Sequence, residues 1–149
     1  MTEEDRVQQQ LLRAQQVARI GSWEWDITSN AVTWSDELFR IFGVDPEGFD
    51  PTYEAYVERI HPDDREMVNG LVMHAYTTGE SFEFNHRAVR PDGTLVYMHC
   101  RGEVAVDPEG VALSMMGIGQ DVTEERLRAE QLAETERQLL EAQRLARLG

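Results

Sequence analysis

Hydrophobic and polar positions alternate strictly over Ser22-Trp-Glu-Trp-Asp-Ile-Thr28, with Trp23, Trp25 and Ile27 on one face and Ser22, Glu24 and Asp26 on the other. That period of two predicts a half-buried strand. Ser29-Asn30 makes a turn, and Ala31 to Trp34 reads as a short hairpin partner. The period then changes. Ser35 is placed to cap a helix whose first turn holds Asp36 and Glu37, whose inner positions are Leu38, Phe39, Ile41 and Phe42, and which Gly43 ends. Asp50-Pro51 is a second start signal, followed by Tyr53, Tyr56, Val57 and Ile60 on one stripe. His61-Pro62-Asp63-Asp64 opens a longer helix with Met67, Val68, Leu71, Val72 and Ala75 inward, stopping near Gly79. Three long strands follow: Ser81 to Arg90, Thr94 to Val106 and Val111 to Val122, joined at Pro91-Asp-Gly93 and Asp107-Pro-Glu-Gly110. Such turns join antiparallel neighbours. The expected fold class is α+β, a five-stranded antiparallel sheet with helices over one face.

The two ends follow a helical pattern and repeat one another. Residues 10–21 match residues 138–149 at an offset of 128, with eight of the twelve positions identical. An offset that long is a whole domain plus its connecting helix rather than a solenoid repeat. Both arms are rich in Leu, Ala, Gln, Glu and Arg, residues that lose little freedom in a helix. Val7, Leu11, Ala14 and Ala18 share a 4-3-4 spacing, and Thr135, Leu139, Ala142 and Ala146 repeat it. The spacing is that of a weak coiled-coil seam and predicts pairing in a homodimer through the flanking helices. The division expected is a connecting helix over 1–20, a core over 21–122, and a signalling helix over 123–149 that leads to a next repeat.

Composition narrows the function. The 149 residues carry 14 bases and 28 acids, for a net charge of −14. The bases are all arginine. Residues 22–122 hold 19 acids and six bases, whereas the two arms are nearly neutral. Acidity of that degree excludes a nucleic-acid partner and an anionic membrane surface. No apolar run is long enough to span a bilayer, so a cytoplasmic location is expected, without membrane contact by this segment. Cys100 is the single cysteine, which leaves no internal disulfide and no metal cluster.

In its order of elements and in five motifs, the segment from about Ile20 to Glu125 resembles a PAS domain of the sensor type with a C-terminal PAC segment. The motifs are Gly21-Ser-Trp-Glu-Trp-Asp26, Trp34-Ser-Asp-Glu-Leu-Phe-Arg-Ile-Phe-Gly43, Ile60-His-Pro-Asp-Asp-Arg65, Arg90-Pro-Asp-Gly93 and Gly117-Ile-Gly-Gln-Asp-Val-Thr-Glu124. The sequence departs from the family where Asn85 and His86 stand before Arg87, in place of an acidic residue and an aromatic. It departs again at Val96-Tyr97, where an Arg-Trp pair is usual.

The resemblance implies sensing, relay or dimerisation rather than catalysis, within a multidomain bacterial signalling protein with an adjacent PAS or output domain. No phosphate loop, nucleophile elbow or zinc helix is present in the sequence, in keeping with that. The resemblance places a haem ligand near Val68 rather than at His74. It finds no cysteine at the flavin-reactive position, so neither haem nor flavin is favoured and no cofactor is assigned; a haem- or flavin-binding sensor and a ligand-free structural dimerisation spacer are the alternatives. His61 is expected to orient the helix entrance, and Cys100 to be a small core residue. Trp25, Phe39, Phe42, Ile60, Val68, Val72, Phe84, Met98 and Met116 are the apolar residues that would converge between sheet and helices. They form either a closely packed core or a cavity for a small apolar ligand, with His86 or Asn85 as its polar anchor. The tryptophans are read as packing. Asp121 and Thr123 are the expected signal-relay residues, with Asp121 and Glu124 spaced as a loose capping box.

Overall fold

The structure, a computed structural model, describes residues 2–148. Gly149, the last residue of the repeated arm, lies outside the described residues. The first helix, α1 (Glu3–Ala18), starts at a capping box between Thr2 and Asp5 and ends at Arg19, a left-handed residue with φ 57°. None of its residues is buried. Strands β1 (Ile20–Asp26) and β2 (Ala31–Trp34) form the expected hairpin in the register Trp23↔Trp34, turning through Asn30 at φ 59°. Helices α2 (Asp36–Phe42), α3 (Tyr53–Arg59) and α4 (Arg65–Thr78) follow. Strands β3 (Phe82–Val89), β4 (Leu95–Val106) and β5 (Ala112–Asp121) and the long helix α5 (Thr123–Leu148) complete the chain.

The five strands form one antiparallel sheet in the order β2-β1-β5-β4-β3. The first hairpin thus lies beside the last strand, so the end of α1 and the start of α5 meet at one edge of the core. The core lies between the inner sheet face and helices α2 and α4. Its fully buried side chains include Ile60, Val68, Val96, Met98 and Met115.

Two helix starts differ from expectation. Helix α3 is capped by Thr52, whose Oγ1 accepts from the Ala55 amide at 3.0 Å, and not by Asp50. Helix α4 begins at Arg65 after a 3-10 turn over Pro62–Asp64. Asp64 does not cap it, because its carboxylate is drawn across to β3. There it accepts from the Arg87 amide at 2.7 Å and from Arg87 Nε and Nη2 at 3.0 and 2.7 Å. On α4 the inward stripe is Val68, Val72 and Ala75 alone. Met67 and Leu71 are 41% and 38% exposed, because they lie around the helix from that stripe.

The Asp64–Arg87 pair ties helix to sheet and titrates. Hydrogen bonds from Arg87 hold the Asp64 carboxyl down, from the ordinary 3.8 to about 2. A depressed carboxyl stabilises the fold above its unfolded pKa and loses that contribution as pH falls through the folded one. Asp64→Ala is expected to lower stability by about 2 kcal/mol at neutral pH. In urea titrations that difference should shrink between pH 4 and pH 2. A difference that stays constant over that interval would count against the pair.

Candidate functional site

Strand alternation carries Trp23 and Trp25 of β1, Phe82 and Phe84 of β3, Met98 and Cys100 of β4 and Met115 of β5 onto the inner sheet face. Helices α2, α3 and α4 add Leu38 and Phe42, Tyr53 and Tyr56, and Val72. Together with Val32, Trp34, Thr52 and Gly119 they line a cavity of about 60 Å³. All three tryptophans of the chain line it, and no charged side chain does.

The cavity closes toward α3 through aromatic contacts. Trp25 stacks on Tyr53 with ring centroids 5.3 Å apart and planes 12° apart. Each ring is tethered outside the stack: Trp25 Nε1 donates to Asn30 Oδ1 at 3.0 Å, and the Tyr53 hydroxyl to Asn69 Oδ1 at 2.8 Å. At the other side the Tyr56 hydroxyl meets His86 Nε2 at 2.9 Å, while His86 Nδ1 lies 3.1 Å from the Arg87 carbonyl oxygen. A carbonyl only accepts, so Nδ1 carries the proton and Nε2 accepts from Tyr56. Burial pushes the His86 pKa below 6.5 and keeps the ring neutral. Burial also raises Tyr56 well above 10 and Tyr53 and Cys100 to about 12. The site is therefore uncharged at neutral pH, with one polar pole at Tyr56, His86 and Cys100.

Of the residues singled out from sequence, Trp25, Phe42, Val72, Phe84 and Met98 line the cavity. Phe39, Ile60 and Val68 pack in the core behind that lining, and His86 stands behind Tyr56. Met116 does not belong to the set. It lies on the opposite sheet face and is 53% exposed, because the β5 pleat turns Met115, Gly119 and Asp121 inward. Asn85 is not an anchor either; it faces outward, with His99 Nδ1 2.6 Å from its Oδ1. Sequence reasoning missed the lining roles of Trp23, Trp34, Tyr53, Tyr56 and Cys100. The stripe of Tyr53 and Tyr56 was the available signal.

At the size it has in this structure the cavity would hold neither haem nor flavin. An apolar cavity of about 150 Å³ holds a single benzene ring, and this one is less than half that size. The His74 side chain is 61% exposed and sits 3.2 Å from Glu80, away from the interior. His61 caps the 3-10 turn through Nδ1, which accepts from the Asp63 amide at 3.1 Å.

At the edge where the helices meet, Asp121 joins three elements. Its amide donates to the Arg19 carbonyl at 2.9 Å, at the end of α1. Its Oδ1 accepts from both the amide and the hydroxyl of Thr123, the first residue of α5. Its Oδ2 lies 3.8 Å from Arg90, whose Nε donates to the Ile41 carbonyl of α2 at 2.8 Å. Thr123 Oγ1 accepts from the Tyr97 amide at 3.0 Å, and the Val122 amide donates to the Tyr97 carbonyl at 2.8 Å. The Arg126 guanidinium lies 4.5 Å from the centroid of the Tyr97 ring. Glu124 completes no capping box; it pairs with Arg19 at 3.0 Å and so links α5 to α1. Beyond this junction both helices stand clear of the core. Val7, Leu11, Ala14 and Ala18 on α1 and Leu139, Ala142 and Ala146 on α5 are exposed in the single chain.

Among the described residues no helix is long and apolar enough to cross a membrane, and no cluster of His, Cys, Asp or Glu is arranged to hold a metal ion. A family model described as the PAS fold matches residues 31–119. The chain is 32% identical over 133 residues to the non-motile and phage-resistance protein of Caulobacter vibrioides, covering 87% of this chain and 15% of that protein. It is 26% identical over 107 residues to the sensor protein FixL of Bradyrhizobium diazoefficiens, covering 72% of this chain and 21% of that one. The chain thus spans less than a quarter of either relative. A crystal structure of a sensory box histidine kinase/response regulator from Burkholderia thailandensis superposes with a TM-score of 0.69 at 25% identity, over 89% of this chain and 98% of that one. Sheet order, helix placement and the matched segment agree: the chain belongs to the PAS-fold family and is a sensor domain of the kind found in bacterial signalling proteins.

Proposed function

We propose that this chain is a non-catalytic relay and dimerisation module of a larger signalling protein. In this reading a change in the core moves the flanking helices, which pair with those of a second copy and pass the change to an adjacent PAS or output domain. The observation that carries the reading is the set of bonds made by Asp121, whose amide holds the end of α1 and whose carboxylate holds the start of α5. Two routes from the cavity wall reach it. One inner-face row pairs His86 with Met98 and Met98 with Asp121. Arg90 spans from the end of α2, which carries Phe42, to the same carboxylate. The exposed apolar positions on α1 and α5 and the near-neutral charge of both arms support pairing between copies.

Phe42→Leu in the full chain tests the relay, because it alters the cavity wall without touching the junction. Amide exchange at Thr123 to Arg126 is expected to rise several-fold more than exchange within the β3–β4 hairpin. An equal rise in both regions reports general destabilisation and removes the relay. Sedimentation of the same samples at tens of micromolar is expected to show a dimer, lost in a Leu11→Asp, Leu139→Asp double variant. A monomer in the unmodified chain would remove the dimer.

A further inference from the structure

We infer that the cavity takes an uncharged guest with a single aromatic ring and one hydroxyl or ring N–H, admitted when α3 swings away from the sheet. The inference rests on the sensory reading above and names what the sensor would bind.

The guest's charge follows from the lining. No Asp, Glu or Arg faces the space, and His86, the one basic group near it, is 3% exposed and turned to Tyr56 and its own backbone. An anion or cation would enter without a counter-charge, at a cost that no group present offsets. The ring follows from the wall chemistry. Stacked aromatics on one side and the sulfur atoms of Met98, Met115 and Cys100 on the other favour a flat, polarisable guest over a branched aliphatic one. The single polar group follows from the Tyr56–His86 hydrogen bond. The hydroxyls of Thr52 and Tyr53 and the ring N–H of Trp25, also in the lining, are already bonded to Ala55, Asn69 and Asn30, which leaves the buried pair of Tyr56 and the His86 behind it for a guest to share.

Size identifies the part that moves. At about 60 Å³ the cavity as it stands is smaller than the roughly 150 Å³ that holds a benzene ring, so a wall must yield. Helices α2 and α4 and the sheet each carry buried side chains, whereas α3 has none between Tyr53 and Arg59. Helix α3 is held over the cavity by the Trp25–Tyr53 stack and by two tyrosine hydroxyls bonded to Asn69 and His86. Its C-terminal end is fixed at Ile60, which is fully buried and bridged to Ala88. Such an element pivots at the fixed end and opens at Tyr53.

The test uses methyl NMR of the full chain labelled at methionine, titrated with phenol, indole, toluene and benzoate. Met98 and Met115 line the cavity, and Met116 lies on the opposite face as an internal control. Phenol and indole are expected to shift Met98 and Met115 saturably while Met116 stays in place, and benzoate is expected to shift none of the three. Tyr56→Phe should weaken phenol about fivefold and leave toluene unchanged. The inference is overturned by the absence of saturable shifts at Met98 and Met115, by benzoate binding as well as phenol, or by equal shifts at Met116. The relay reading fails separately. If phenol binds but α5 exchange does not change, the guest stands and the relay falls. If Phe42→Leu alters α5 but no guest binds, the relay stands and the guest falls.

Discussion

Gly117→Ala is expected to be among the most destabilising substitutions in the chain, lowering stability by about 3 kcal/mol. Gly117 of β5 faces Gly102 of β4 directly across the ladder, and Trp23 of β1 is its partner on the other side. A Cβ added at Gly117 would lie 2.1 Å from the Arg101 carbonyl oxygen, 2.9 Å from Gly102 Cα and 2.7 Å from Trp23 Cζ2. Two of those three atoms are backbone of a central strand, so relief requires the sheet itself to shift. The third belongs to an indole on the cavity wall, stacked on Phe82 at 6.1 Å. A loss of that size is a large part of the roughly 5–15 kcal/mol that holds a domain together. For Gly102→Ala the three nearest atoms all belong to the Phe82 ring, and a ring tip moves more readily than a strand. Its expected loss is smaller, about 1–2 kcal/mol. Gly48→Ala meets nothing within 4 Å and serves as the control. Denaturant midpoints of the three variants should rank in that order, and a Gly117→Ala midpoint near that of Gly48→Ala would disprove the close packing of this row.

That row also marks where the sequence could be read and where it could not. The strand over Ser22 to Thr28 was legible because one face is solvated, so its alternation reports burial directly. The C-terminal strand was legible as a strand but not as a pair of faces. Ala112-Leu-Ser-Met-Met-Gly-Ile-Gly has apolar or small residues on both sides, so nothing in it separates Met115, 1% exposed, from Met116, 53% exposed. Helix starts were legible to within a few residues. Their exact caps depended on long-range partners, as where Arg87 takes the Asp64 carboxylate from the start of α4. The apolar set around the cavity was partly visible from composition and spacing. Whether those side chains fill the space depends on how eight rings and three sulfur atoms settle against each other, which no local pattern encodes. The 128-residue repeat gave the relation of the two arms, and the fold explains part of it. In the first arm, Arg19 is the left-handed helix cap and Gly21 sits where a Cβ would come within 2.6 Å of Leu38 Cβ.

Asp121→Ala is the substitution expected to loosen the C-terminal helix α5 from the core. The side chain is 11% exposed and accepts from two groups of Thr123, so its loss leaves the first amide of α5 without a partner and Arg90 without its carboxylate. Removal of such a helix-start acceptor costs about 1–2 kcal/mol, and the freed Arg90 adds to that cost. A free energy near 1.4 kcal/mol corresponds to a roughly tenfold rise in the open population, so amide exchange at Thr123 should accelerate by about that factor. The bond from the Asp121 amide to Arg19 is backbone and survives the change, so α1 should keep its exchange pattern. Asp121→Asn provides the discriminating comparison. Its amide oxygen still accepts from Thr123 while the charge facing Arg90 is gone. If helix capping dominates the junction, the Asn variant resembles the unmodified chain and only the Ala variant frays. If the attraction to Arg90 dominates, both variants fray alike and the end of α2 loosens with them, because Arg90 Nε is bonded to Ile41. Geometry favours the first outcome. Arg90 lies 3.8 Å from the carboxylate, beyond hydrogen-bond range, whereas the Thr123 amide is at 3.0 Å. Rapid exchange at Thr123 in the unmodified chain would remove the clamp.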